Sequence, residues 1–161
     1  MEVKQGYSYH IKDEFFDVVQ DKYLMGNKEE GNYRPHFLAI RDNKNKELYW
    51  MNPISSKIEK YRGIIEKKIR RYGKCNTIII GKFAGKDNAF LIQNAFPIIK
   101  KYIDHVHTIE NEPITIHSKL NRELTVNLRE VLAMYRCGIR LIFHDIEYIQ
   151  EKMEKELTRH L

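Results

Sequence analysis

Two pairs of apolar runs, held apart by one charged amphipathic stretch, constrain this chain more than any other feature. The first pair is "HFLAIRD" and "ELYWMNPI", joined by the polar "NKNK"; the second is "NTIIIGKFAG" and "AFLIQNAFPI", joined by "KDN". Short runs rich in β-branched and aromatic residues, bounded by turn formers, read as strands, and two of them separated by a few polar residues read as a hairpin. Between the pairs, Ile58, Tyr61, Ile64, Ile65, Ile69 and Tyr72 keep the spacing of one helical face, and Gly73 supplies the stop. Hairpins and helices in this order do not make the regular βαβ alternation of a parallel sheet. The expected fold class is α+β: a small, mostly antiparallel sheet or partly open barrel decorated by helices.

The flanking segments add to this frame. Tyr7 to Ile11 alternates as a first strand, and Asp13 is placed to cap a short helix carrying Phe15, Phe16, Val19 and Tyr23. "MGNKEEGNYRP" reads as a polar loop. "KKYIDHVHTIENEPITI" shows no regular period. Leu120, Leu124, Leu128, Val131, Leu132 and Tyr135 define a long helix ending at Gly138. "IRLIF" reads as a last short strand, and Ile146, Ile149, Met153 and Leu157 stripe a C-terminal helix. With 161 residues, no internal repeat and no Gly/Ser-rich linker, residues 1–161 are expected to form a single domain.

Composition narrows the partners. Apolar residues make up 42% of the chain, which places it among globular proteins. Runs such as "CNTIIIG" are too short to span a bilayer, and "MEVKQGYSYH" lacks a signal-peptide core, so no membrane association is expected. Cys75 and Cys137 form neither a disulfide framework nor a zinc spacing, which suits a reducing cytoplasm. The net charge of +6 favours a polyanion, and RNA or DNA is the commonest one in that compartment.

The segment "NPISSKIEKY" carries the densest chemistry. Ser56 and Glu59 fit the S-x-x-E capping box, which explains them without any function. Ser55 is left over, and Lys57 places a cation where the helix dipole favours anions. Two hydroxyls, an ammonium and free N–H groups at a helix start also make a phosphate-binding corner. In "NKEEGNYRP", Lys28 and Arg34 can hold phosphates and Tyr33 can stack on a base, against the simpler reading of a solvated loop. Gln93 and Asn94 stand among apolar residues of a strand, where amides read base edges or satisfy the backbone. Lys82 and Lys86 sit beside Gly81 and Gly85 without forming a nucleotide-binding loop. "KKIRRYGK" clusters Lys67, Lys68, Arg70, Arg71 and Lys74 as a solvated face or a polyanion groove. His105 and His107 in "DHVH" have no third ligand at a recognisable spacing, so no metal is expected there. Neither a G-x-S-x-G elbow nor a catalytic cysteine signature is present.

Taken together, "YRPHFLAI", "YWMNPISSKIEKY" and "NAFLIQNAFPI" resemble the toxins of type III toxin–antitoxin systems, the ToxN/AbiQ family and its CptN branch in particular. The resemblance runs from about Tyr7 to Phe143 and is most specific in "PISSK" and "AFLIQNAFPI". It implies a small endoribonuclease with a partly open barrel like that of the MazF/Kid toxins. Such toxins cut cellular RNA without metal or cofactor and act in phage defence by abortive infection, in growth arrest and in maintenance. They process, and are inhibited by, a repeat-derived small RNA antitoxin folded as a pseudoknot, closing with it into a ring of two or three protein copies.

The family's strand ends Thr-Ser-Pro-Lys at the scissile phosphate. The matching segment here is Ser55-Ser56-Lys57, one residue shorter and without the proline, and Lys60 is the alternative amine one turn on. By that resemblance Ser55, Ser56 and Lys57 are the catalytic group, and Lys28, Tyr33, Arg34, Lys60, Lys82, Gln93 and Asn94 line the RNA path. The substrate 2′-hydroxyl attacks, leaving a 2′,3′-cyclic phosphate, while the protein positions the sugar and stabilises developing charge. His36 is conceivable as the base but reads better as structural. A non-catalytic RNA-binding protein, and a DNA-binding regulator without a helix-turn-helix signature, are the competing readings.

Overall fold

The computed structural model describes residues 1–159. In chain order its strands are β1 (Ser8–Ile11), β2 (Lys28–Glu29), β3 (Asn32–Tyr33), β4 (His36–Arg41), β5 (Leu48–Ser55), β6 (Ile78–Phe83), β7 (Lys86–Leu91), β8 (Phe96–Ile99), β9 (Ile103–Val106), β10 (Thr108–Ile109) and β11 (Glu112–Pro113). The helices are α1 (Asp13–Val18), α2 (Ile58–Tyr72), α3 (Ser118–Arg136) and α4 (Ile146–Thr158).

The main sheet runs β6-β7-β5-β4-β1-β9 and is antiparallel throughout, with β8 as a branch on β5. The branch arises because β5 is shared along its length. β4 pairs one edge from Tyr49 to Pro53, β8 pairs the other from Leu48 to Met51, and β7 pairs it at Ile54 and Ser55. The end strands β6 and β9 do not pair, yet the sheet curls until the Phe83 ring lies 5.5 Å from that of His107, just past β9. The expected α+β class and open, antiparallel, helix-decorated sheet are what forms.

Both faces of the sheet are covered, which explains why every residue of β5 is buried. On one face Phe37, Trp50, Ile54 and Phe90 pack against Leu124, Leu128 and Val131 of α3. On the other, Leu38, Leu48, Met51 and Phe96 meet Phe15 of α1 and Ile149 and Met153 of α4. A bulge between Leu38 and Ile40 bends β4 across this double layer. α4 is tied down by the buried Tyr102 hydroxyl, 2.5 Å from Glu156 Oε1. α2 lays Tyr61 against Ile78, Ala89 and Leu91 of the β6–β7 hairpin.

Several local expectations change. Lys57, not Ser56, is the N-cap of α2, and no side chain caps it there, because the Ser56 hydroxyl is drawn to Glu29 instead. Likewise Lys12 precedes α1, and the Asp13 carboxylate is taken by Asn27 and Tyr33. The second hairpin turns at Ala84-Gly85, both at positive φ as a tight two-residue turn requires, so "KDN" lies within β7. Gln93 and Asn94 are not in a strand: a 3₁₀ turn over Ile92–Asn94 carries the chain from β7 to β8. "IRLIF" forms no strand; Ile142 alone is fully buried, while Ile139 and Phe143 are exposed. The "EEGN" of the polar loop is a hairpin, with Glu30 and Gly31 at positive φ between β2 and β3. No helix among the described residues is long and apolar enough to cross a membrane.

Candidate active site

Ser55 is the last residue of β5, fixed in register opposite Ala89 of β7, and the chain bends at Ser56 before α2 begins. Ser55 is buried and Ser56 exposed. The Ser55 Oγ accepts a hydrogen bond from the Lys57 N–H at 3.2 Å, so the turn itself is built on that hydroxyl. Lys57 projects into solvent and, among the described residues, has no ion-pair partner.

The β2–β3 arm folds back over this corner and delivers Glu29 to it. Glu29 Oε2 accepts from Ser55 Oγ at 2.7 Å and from Arg34 Nη1 at 2.7 Å. Glu29 Oε1 accepts from Ser56 Oγ at 2.7 Å and from the Ser56 N–H at 3.0 Å. Arg34, only 5% exposed, also donates from Nη1 to the Ile54 carbonyl and from Nε to the Gly26 carbonyl. Burial would push the Glu29 carboxyl up, but the Ser55 and Ser56 hydroxyls, the Ser56 N–H and Arg34 outweigh it and hold the group at about 2. It is an anion at any physiological pH.

Around this cluster lies a cleft of about 200 Å³ whose walls include Tyr33, Ser56, Phe83 and Asn88. Tyr33 is exposed, donates its hydroxyl to Asp13 at 2.7 Å and carries Lys28 over its ring. The same tyrosine borders a second cleft, of about 570 Å³, lined by His10, Lys12, Asp13 and His105. Lys60 is exposed one turn into α2, and Lys82 on β6 pairs with Asp87 at 3.2 Å. The structure therefore gathers Lys28, Tyr33 and Arg34 with Ser55, Ser56 and Lys57. Gln93 is elsewhere: its carbonyl holds the Lys68 ammonium at 3.0 Å, about 15 Å further along α2. Asn94 follows it in the same 3₁₀ turn.

Glu29 is the residue that sequence reasoning missed; the signal was the Glu30-Gly31 pair, a two-residue hairpin turn that places Glu29 opposite Asn32. A second grouping was also out of view. His10 of β1 stacks on His105 with ring centres 4.6 Å apart, and its Nε2 lies 2.8 Å from His107 Nδ1. His105 Nδ1 faces Asp104 at 3.0 Å. Among the described residues, no group of three or more His, Cys, Asp or Glu side chains is arranged to hold a metal ion.

His36 is fully buried, with Nδ1 3.1 Å from the Arg34 carbonyl and no partner for Nε2 among the described residues. Burial, then the nearby Arg34 charge, lowers it from the usual 6.5 to about 3; burial and the His107 and His105 charges lower His10 to about 4. Groups with depressed folded values refuse protons that the unfolded histidines accept. Stability is therefore full above about 6.5 and is lost as pH falls toward 4 and 3. Denaturant unfolding is expected to show lower stability at pH 5 than at pH 7.5, with a smaller difference in His36→Gln. A flat profile in the unsubstituted chain would contradict the neutral state of both rings.

No family model matches the sequence, and no curated protein matches it. Solved structures do match the fold. One is AbiQ, a lactococcal anti-phage endoribonuclease belonging to the type III toxin–antitoxin system, with a TM-score of 0.73 at 10% identity, over 96% of this chain and 99% of that one. Another comes from a bacterial antiviral system regulated by a processed non-coding RNA, with a TM-score of 0.66 at 10% identity, over 92% of this chain and 97% of that one. At such identity the likeness establishes the fold.

Proposed function

We propose that this chain is a metal-independent endoribonuclease toxin of a type III toxin–antitoxin system. The observation that carries the reading is the corner at the end of β5, where the Ser55 and Ser56 hydroxyls and the Ser56 N–H converge beside a cleft lined by Ser56, with the exposed Lys57 next in the chain. It stands on a fold shared with an anti-phage endoribonuclease over nearly the whole of both chains. In the proposed reaction the RNA 2′-hydroxyl attacks the adjacent phosphorus and the 5′-oxygen leaves, giving a 2′,3′-cyclic phosphate and a 5′-hydroxyl. Ser56 Oγ and N–H donate to the phosphoryl oxygens, Lys57 supplies the cation beside the developing charge, and Ser55 sets the turn that presents both.

Lys28, Tyr33, Lys60 and Lys82 are proposed to carry the RNA backbone and bases toward the corner, with Arg34 behind the phosphate and Gln93 and Asn94 reached only by RNA that extends along α2. The partner on this reading is a small RNA antitoxin, a repeat-derived pseudoknot that the enzyme cuts from its precursor and that then occupies the cleft in a ring of two or three protein copies. The protein acts in the cytoplasm, in phage defence or growth arrest.

Purified protein is expected to cut single-stranded RNA in the presence of EDTA and to leave 2′,3′-cyclic phosphate ends, and its expression without an antitoxin is expected to arrest growth. Loss of cleavage on adding EDTA would remove the metal-independent mechanism. A binding-only protein has one observation in its favour, the engagement of both serine hydroxyls by Glu29. It predicts salt-dependent binding with the RNA left intact.

A further inference from the structure

The Glu29 carboxylate is bound as a phosphate would be. Two hydroxyls, one backbone N–H and one guanidinium N–H converge on its two oxygens, all within 3.0 Å. A carboxylate has about four lone-pair positions, and here four donors fill them. Such a group is a poor general base, because no acceptor site is left to receive a proton.

Its neighbours are equally committed. A serine hydroxyl has one hydrogen to give, and those of both Ser55 and Ser56 go to Glu29. A phosphodiester cannot receive either one while the carboxylate stays, and it would face a like charge at close range. Glu29 sits on an arm whose two strands pair only with each other, outside the main sheet. Rotation of its side chain away from Ser55 and Ser56 breaks no β-ladder.

We propose that Glu29 occupies the phosphate's place in the RNA-free protein and acts as a built-in competitor that an RNA must displace. This rests on reading the Ser55–Ser56–Lys57 corner as a phosphate site. Displacement selects among RNAs: a short strand offers little beyond the phosphate itself, whereas a longer or folded RNA that also contacts Tyr33, Lys28 and Lys60 compensates for the lost carboxylate contacts. Glu29 is thus a specificity-determining residue.

The test uses the full chain and its Glu29→Gln variant, with thermal unfolding as the check on folding. Two probes are titrated: inorganic phosphate, read by the shift in melting temperature, and a fully 2′-O-methylated RNA decamer, read by fluorescence anisotropy. A site self-occupied nine-tenths of the time loses about tenfold in apparent affinity, so Glu29→Gln is expected to bind the decamer about tenfold more tightly. With a cleavable RNA the gain should appear in KM. Glu29→Asp, which keeps the charge but cannot span both serines, should fall between the two and serves if Glu29→Gln does not fold.

Unchanged or weaker binding by both variants, with kcat lost, would overturn the proposal and make Glu29 a positioning residue. The two readings fail separately. If the unsubstituted chain cuts RNA but neither variant gains affinity for either probe, the competitor is refuted and the endoribonuclease stands. If neither protein cuts RNA while Glu29→Gln gains phosphate binding, the competitor stands and the endoribonuclease does not.

Discussion

Ser56→Ala is expected to slow RNA cleavage by about 10²–10³-fold, the usual cost of removing one donor from a site that stabilises an oxyanion. The fold should survive, because Ser56 is exposed and its hydroxyl makes one contact, to Glu29, worth about 1–2 kcal/mol. Ser55→Ala is a less clean probe, since that hydroxyl is buried and also receives the Lys57 N–H. Lys57→Ala tests the cation by the same assay and should match Ser56→Ala in direction, with relief of growth arrest as the cellular counterpart. Lys60→Ala should have a small effect, because Lys60 lies about a turn further on than Lys57, with its ammonium over the Tyr61 ring. Normal cleavage by both Lys57→Ala and Lys60→Ala would show that the reaction does not use this corner.

The sequence carried most of the architecture because the architecture rests on apolar patterning. β4, β5, α3 and α4 each bury an apolar face that can be read from spacing, and each forms where that spacing places it; α2 also forms where its spacing places it, but it buries only Tyr61 and leaves Ile69 and Tyr72 exposed. Misreadings came where polar groups choose between partners. Ser56 satisfies the capping-box pattern, but an anion delivered from 27 positions earlier attracts its hydroxyl more strongly than a backbone N–H does. Gln93 was expected within a strand, yet its carbonyl accepts from the Lys68 ammonium and the chain turns there between two strands that pair with different parts of β5.

The candidate site was half legible for the same reason. Ser55, Ser56 and Lys57 are contiguous, so they could be seen together. Glu29 comes from an arm of two-residue strands, too short for any period to show, and Arg34 of the same arm could be read as an RNA contact but not as the partner of Glu29. "IRLIF" failed in the opposite sense: its residues suit a strand, but Ile142, with the partly buried Leu141, packs into the core beside α3 and no sheet edge takes the backbone. The histidine grouping needs β1 and β9 to be neighbours, a long-range pairing that local pattern does not contain.

Arg34→Met is expected to cost about 3–5 kcal/mol of stability at pH 7, the penalty for leaving a buried charge without its partner. Its guanidinium is 5% exposed and the Glu29 carboxylate 14%, and the same Nη1 that pairs with Glu29 also satisfies the Ile54 carbonyl at the end of β5. The comparison within this protein is Arg62, whose contacts to Glu59 and Asp87 are largely solvated and should be worth at most about 1 kcal/mol. Two further measurements separate the ion pair from simple loss of packing. In a Glu29→Gln background the Arg34→Met penalty should shrink, because the stranded anion is gone. It should also shrink in acid: the depressed Glu29 value contributes stability that is complete above about 4.5 and is lost as pH falls toward 2, so near pH 3 part of the carboxylate's contribution has already gone. Urea unfolding of the four proteins at pH 7 and pH 3 reads all of this. A penalty under about 1 kcal/mol, or one indifferent to both Glu29 and pH, would mean that the arm is held by its backbone contacts and that the charge pair does not shape the corner.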